Sequence, residues 1–104
     1  MSRYARKTDD NHQRIVAALR AFGASVASLA AVGGGVPDLL VGYRGVNYLL
    51  EVKDGSKVAS ARKLTAAQVE WFGGWRGLKP STVENEDDAS CAIGAKERTW
   101  RAGR

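Results

Sequence analysis

Asp38, Glu51 and Lys53 are the residues of this chain whose types and spacing suit joint chemistry. Asp38 stands at the mouth of one short apolar run, LLVGY, and Glu51 with Lys53 at the far end of the next, VNYLLEVK, with Arg44-Gly45 between the runs. If Arg44-Gly45 are the central residues of a tight hairpin, with Gly45 free to take a positive φ, then Tyr43 opposes Val46, Val41 opposes Tyr48, Leu40 opposes Leu49 and Asp38 opposes Glu51. Directly opposed side chains share a face with Cβ atoms about 4.5 to 5.5 Å apart, so two carboxylates meet. Lys53 lies on the same face, roughly 6.6 Å along the strand from Glu51. Adjacent carboxylates repel, and a divalent cation removes the conflict. Two carboxylates, waters and a backbone carbonyl such as that of Val52 make the oxygen-rich set that Mg²⁺ or Mn²⁺ prefers. Such an ion polarises a phosphoryl oxygen and acidifies water, while a neighbouring lysine orients or deprotonates that water. The chemistry indicated is phosphodiester cleavage. Pro37-Asp38 alone is a common turn and Glu-x-Lys a common strand end; the conjunction in a strand-turn-strand context is what points to a site.

Other routes to hydrolysis are closed by composition. His12 is the only histidine and Cys91 the only cysteine, which excludes a His/Cys zinc site and a single-chain Ser/His/Asp triad. An internal disulfide is excluded too, and Cys91 reads as a small buried hydrophobe. With no apolar leader or membrane-length segment in the sequence, the expected setting is a reducing cytoplasm. The formal charge is +5, and the basic excess sits before residue 80, where twelve Lys and Arg face six Asp and Glu. That balance suits a polyanionic partner as well as plain solubility.

The elements that must hold these residues can be read from periodicity and breakers. A helix is expected from near Thr8–Asn11 to Gly23, with Asn11, Ile15, Ala18, Leu19 and Phe22 on one face. Strands are expected over 25–32, 36–43, 46–53 and 79–84, with a basic loop over 57–63. The segment LTAAQVEWFGGW reads as a second helix with Thr65 as N-cap, Gln68 completing a capping box and Leu64 with Val69 as an apolar staple. On it Gln68, Trp71, Phe72 and Trp75 make one stripe expected to face inward, with Trp71 and Trp75 as core rather than base-stacking rings. Glu86, Asp87 and Asp88 open a last helix, to about Ile93, where they offset the helix dipole. The order is α-β-β-β-α-β-α: one α/β domain over 1–104 with a mixed sheet flanked by helices, its ends at 1–8 and 95–104 flexible.

Three motifs carry a resemblance to a known family: G-V-P-D at 35–38, E-V-K at 51–53 and L-T-x-x-Q at 64–68. They resemble the PD-(D/E)XK nuclease superfamily, with its restriction-endonuclease-like core. Within it, the chain is similar to the small stand-alone VRR-NUC proteins of phages and prophages, from about Asp10 to Gly77. The resemblance implies Asp38 and Glu51 as metal ligands, the Val52 carbonyl as a third, Lys53 as the catalytic lysine and Gln68 as a residue supporting the site. It also implies homodimers that cut branched DNA such as Holliday junctions. Many relatives place a glutamate on the first helix near the metal. Here the helix offers Asn11, either an amide oxygen toward the metal or a satisfied buried amide or cap.

Lys57, Arg62 and Lys63 follow the E-V-K strand end directly, and phosphate contact is their expected role; the tail arginines Arg98, Arg101 and Arg104 are further candidates. The leading expectation is a Mg²⁺-dependent endonuclease. A nucleic-acid-binding module that keeps the fold without turnover is the alternative, and a small basic interaction protein a third.

Overall fold

The computed structural model describes residues 10–97. The expected flexible end over 1–8, and residues 98–104 of the one expected over 95–104, with their arginines, lie outside the described residues. Of the expected C-terminal tail, Ala95 is tied back, its N–H donating to the Ser90 carbonyl at 2.9 Å, and Lys96 is paired with Asp87.

Eight elements form in the order α1 (Asp10–Ala21), β1 (Ser25–Ser28), β2 (Leu39–Tyr43), β3 (Val46–Val52), α2 (Ala59–Arg62), α3 (Ala66–Gly74), β4 (Ser81–Val83) and α4 (Glu86–Ala92). The strands make one mixed sheet in the order β1-β2-β3-β4; the first three are antiparallel and β4 joins β3 in parallel. Parallel neighbours need a crossover of a dozen residues or more, and the segment carrying α2 and α3 supplies it.

The hairpin has the expected register. Leu39 pairs with Leu50, Leu40 with Leu49, Val41 with Tyr48 and Tyr43 with Val46. Arg44 and Gly45 both have positive φ, 50° and 82°, as a primed two-residue turn requires. The Arg44 guanidinium lies 5.1 Å from the centroid of the Tyr43 ring.

Strand alternation divides the sheet into two unlike faces. Leu39, Val41, Leu50 and Val83 point to one of them and pack with Ile15 and Leu19 of α1 and Ala89 and Ile93 of α4, all buried. Asp38, Leu40, Asn47, Leu49 and Glu51 have the opposite parity and belong to the other face. That face meets α3, none of whose residues is buried. The inward stripe expected for Trp71, Phe72 and Trp75 is therefore corrected: the two indoles line an open groove against the sheet, and Phe72 meets Trp71 edge-on, rather than entering the core. Val69 of the expected staple is exposed, and Phe22, just past the end of α1, is exposed as well.

Some boundaries also differ from expectation. β1 ends at Ser28 because the chain turns over Ala30–Val32, closed by a Val32 N–H to Leu29 carbonyl bond, and then runs through three glycines of positive φ. β2 accordingly begins at Leu39 rather than Val36. The basic segment is not all loop: one helical turn, α2, forms within it. No helix among the described residues is long and apolar enough to cross a membrane.

Gly35 explains the first residue of the G-V-P-D motif. A Cβ there would lie 2.3 Å from the Ala67 carbonyl oxygen, and its φ is +89°. The loop before Asp38 is thus pressed against the first turn of α3 through a position only glycine fits. Gly45 has positive φ but nothing within 4 Å. Gly45→Ala is expected to cost roughly 1 to 2 kcal/mol from backbone strain alone, and Gly35→Ala clearly more, because it also displaces α3; denaturant unfolding of the two variants measures the difference.

Candidate active site

The site grows out of the end of the hairpin. The ladder stops at the Leu39–Leu50 pair, and there the Asp38 side chain takes over from the backbone: Val52 donates its N–H to Asp38 Oδ2 at 2.9 Å. The bond pins the carboxylate against the strand that carries Glu51. Parallel pairing holds that strand from its other side, with Glu51 opposite Thr82 and the Lys53 N–H on the Val83 carbonyl at 2.9 Å.

Glu51 is only 4% exposed. Burial first, and then the nearby Asp38 carboxylate, push its pKa up to about 7, against the opposing pull of Lys53 and the Gln68 amide. Gln68 Nε2 donates to Glu51 Oε2 at 2.8 Å, and Lys53 Nζ stands 3.7 Å from the same oxygen. Gln68 Oε1 accepts from Lys53 Nζ at 3.2 Å and from the Thr65 N–H at 2.9 Å, while the Gln68 N–H donates to Thr65 Oγ1 at 3.2 Å. The two roles read for Gln68 are one arrangement. Its amide closes the capping box of α3 and simultaneously spans the acid and the lysine of the E-V-K motif.

Asn11 reaches the same region from α1. Its Nδ2 donates to the carbonyls of Lys53 (3.0 Å) and Glu84 (3.4 Å), clamping the exits of β3 and β4 together. Asn11 Oδ1 and Glu51 Oε1 are both buried acceptors without a hydrogen-bond partner. Buried acceptors in folded proteins are normally satisfied, so an orphaned carboxylate oxygen beside a second carboxylate suits a cation ligand. No group of three or more His, Cys, Asp or Glu side chains suited to a metal occurs among the described residues. The candidate donor set is therefore two carboxylates, which matches the way Mg²⁺ is held through one or two carboxylates while keeping several waters.

The basic residues divide. Arg62 is half-buried, with Nε on the Lys57 carbonyl at 2.8 Å and a terminal nitrogen 3.4 Å from Glu84 Oε2, so it braces the crossover. Lys57 and Lys63 are exposed. Sequence reading missed both the Arg62–Glu84 brace and the Asp38–Val52 bond. The second had a signal: the register that opposes Asp38 to Glu51 also ends the ladder beside Val52.

A mixed sheet with a carboxylate pair at its hairpin end, a lysine two residues on and a glutamine from the crossover helix define a nuclease-type α/β domain. A solved structure described as a VRR-NUC domain is similar to this chain, at 28% sequence identity and a TM-score of 0.54 over 78% of this chain and 87% of that one. That likeness supports membership of the VRR-NUC family. No family model matches its sequence, and no curated protein does.

Glu51 also makes the metal-free fold sensitive to pH. Because its folded pKa of about 7 exceeds the ordinary 4.5, the folded state holds the proton more tightly, and stability falls as pH rises between those values. In EDTA, wild type is expected to lose on the order of 2 kcal/mol relative to Glu51→Gln between pH 4.5 and 7.5; parallel unfolding curves for the two proteins would refute this.

Proposed function

We propose that the protein is a divalent-metal-dependent endonuclease that hydrolyses phosphodiester bonds in DNA, with Mg²⁺ or Mn²⁺ as its cofactor. The observation that carries this reading is the half-buried Asp38 carboxylate beside the buried Glu51, with Glu51 Oε1 unpartnered and Lys53 Nζ alongside. Asp38, Glu51 and the Val52 carbonyl would hold the ion, which supplies Lewis acidity toward a phosphoryl oxygen. Lys53 orients the attacking water and balances the negative charge that develops on the phosphate. Gln68 fixes the ammonium and the Glu51 carboxylate relative to each other, so neither must be ordered when substrate arrives. Asn11 acts on the backbone that carries them. Lys57 and Lys63, exposed just beyond the site, contact flanking phosphates and give affinity without base readout, while Arg62 holds their loop.

Family resemblance supports branched DNA, including Holliday junctions, as the preferred form. It supports homodimer formation as well, since paired cuts need two sites and a domain this small covers little DNA. The sparse donor set favours one alternative, a module that binds nucleic acid without turnover.

The two readings separate in one assay: four-way junction, flap, single-stranded and linear duplex DNA incubated with Mg²⁺, Mn²⁺ or EDTA. Cleavage is expected in either metal and not in EDTA. Lys53→Ala should lower the rate at least 100-fold, within the range of general acid–base contributions, while retaining DNA binding. Binding of wild type without cleavage of any form would establish the module instead. A second check needs no turnover: Mg²⁺ should raise the melting temperature of wild type, and raise it markedly less in Asp38→Asn.

A further inference from the structure

We infer that the apolar groove beside the carboxylate pair is a nucleobase pocket, which receives an unpaired base next to the phosphate held at the site; the inference rests on the nuclease reading above. On the open sheet face Leu40 pairs with Leu49 and Gly42 with Asn47, and Asp38 and Glu51 stand just beyond the end of that ladder. Each step of two residues is about 6.6 Å, so the apolar pair lies one step from the acids. On α3, Trp71 follows Gln68 by one turn and Trp75 by two. Between helix and hairpin lies a cavity of about 400 Å³, walled by Leu40, Leu49, Trp71, Trp75 and Leu78, with Asn47 at its polar end.

The walls suit a flat aromatic guest. Trp71 and Trp75 are stacked, with centroids 4.6 Å apart and planes 15° from parallel. Trp75 is still 39% exposed, and Leu40 and Leu78 are 37% and 55% exposed. Large apolar side chains left open on one concave strip mark a binding surface rather than core. Gly77 keeps the strip open, because a Cβ there would come within 2.8 Å of Trp75 Nε1. Asn47 is exposed and brings a donor and an acceptor, the complement of a base edge. Arg76, exposed, lies in the chain between groove-lining Trp75 and Gly77 and offers a cation to a sugar-phosphate backbone nearby.

A second copy of the chain fits less well. A stable protein interface takes about 800 Å² from each partner, whereas this is a narrow cleft, and an apolar lid would strand the Asn47 amide. Duplex DNA cannot use the cleft without extruding a base, which costs a few kcal/mol. The substrate class is therefore a strand with an unpaired nucleotide adjoining the scissile phosphate, as in a flap, a gap or the crossover of a junction.

Binding of the full chain to fluorescein-labelled single-stranded oligonucleotides and to duplexes of equal length, in EDTA, tests the pocket separately from catalysis. Trp75→Ala is expected to weaken single-strand binding roughly 5- to 150-fold, the span of one base–aromatic stack, and to leave duplex binding unchanged. Trp75→Phe should restore most of the loss, and its melting temperature shows that the fold is intact. One abasic position in the oligonucleotide should reproduce the Trp75→Ala effect. Equal losses for both DNA forms, or none, would overturn the pocket. It would also be overturned if sedimentation showed a dimer that Leu78→Glu dissociates, since the groove would then belong to the second copy. Trp75-dependent single-strand binding without cleavage would keep the pocket and remove the nuclease reading; cleavage indifferent to Trp75 would do the reverse.

Discussion

Two carboxylates held together, one of them buried and the other half-buried, are the constraint from which the rest of the structure follows. Asp38 and Glu51 are opposed by the hairpin register and could separate only if that register slipped. A slip of one residue would turn the buried leucines and valines of β2 and β3 to the wrong face. The core on one side of the sheet thus enforces repulsion on the other. The surrounding groups offset it in part: the Val52 N–H takes one Asp38 oxygen, the Gln68 amide and the Lys53 ammonium share one Glu51 oxygen, and the other Glu51 oxygen is left over. Each of these partners belongs to the hairpin or to the first turn of α3. Charge and fold are specified by the same few residues.

The sheet keeps its two tasks on separate faces. α1 and α4 close one of them with Ile15, Leu19, Ala89 and Ile93, giving a rigid base. α3 only leans on the other and leaves it accessible. Side chains projecting from strand ends over a packed base are better fixed than side chains on loops. The clamp that Asn11 makes on the Lys53 and Glu84 carbonyls ties the working strand to that base.

The hairpin and its acidic pair were legible in the sequence because a two-residue turn leaves a single register, and alternation then determines the face. The capping box of α3 was legible for a similar reason: Thr65 and Gln68 interact over three residues. Contacts between distant segments were not. The fit of Gly35 against Ala67, the Arg62–Glu84 brace and the placement of Asn11 depend on how the crossover lies over the sheet, which local pattern does not encode. The Trp stripe misled for a physical reason. Helical spacing identifies which residues share a face, but says nothing about whether that face is sealed or open.

The amide of Gln68 has a consequence for how the domain comes apart. One side chain terminates a helix and joins an acid to a base, so unwinding the first turn of α3 and dismantling the charged constellation are a single event. Helix ends are where proteins open most readily. A molecule frayed at this turn keeps most of its core yet has lost the bridge between Glu51 and Lys53, so the charged constellation comes apart well before the chain unfolds.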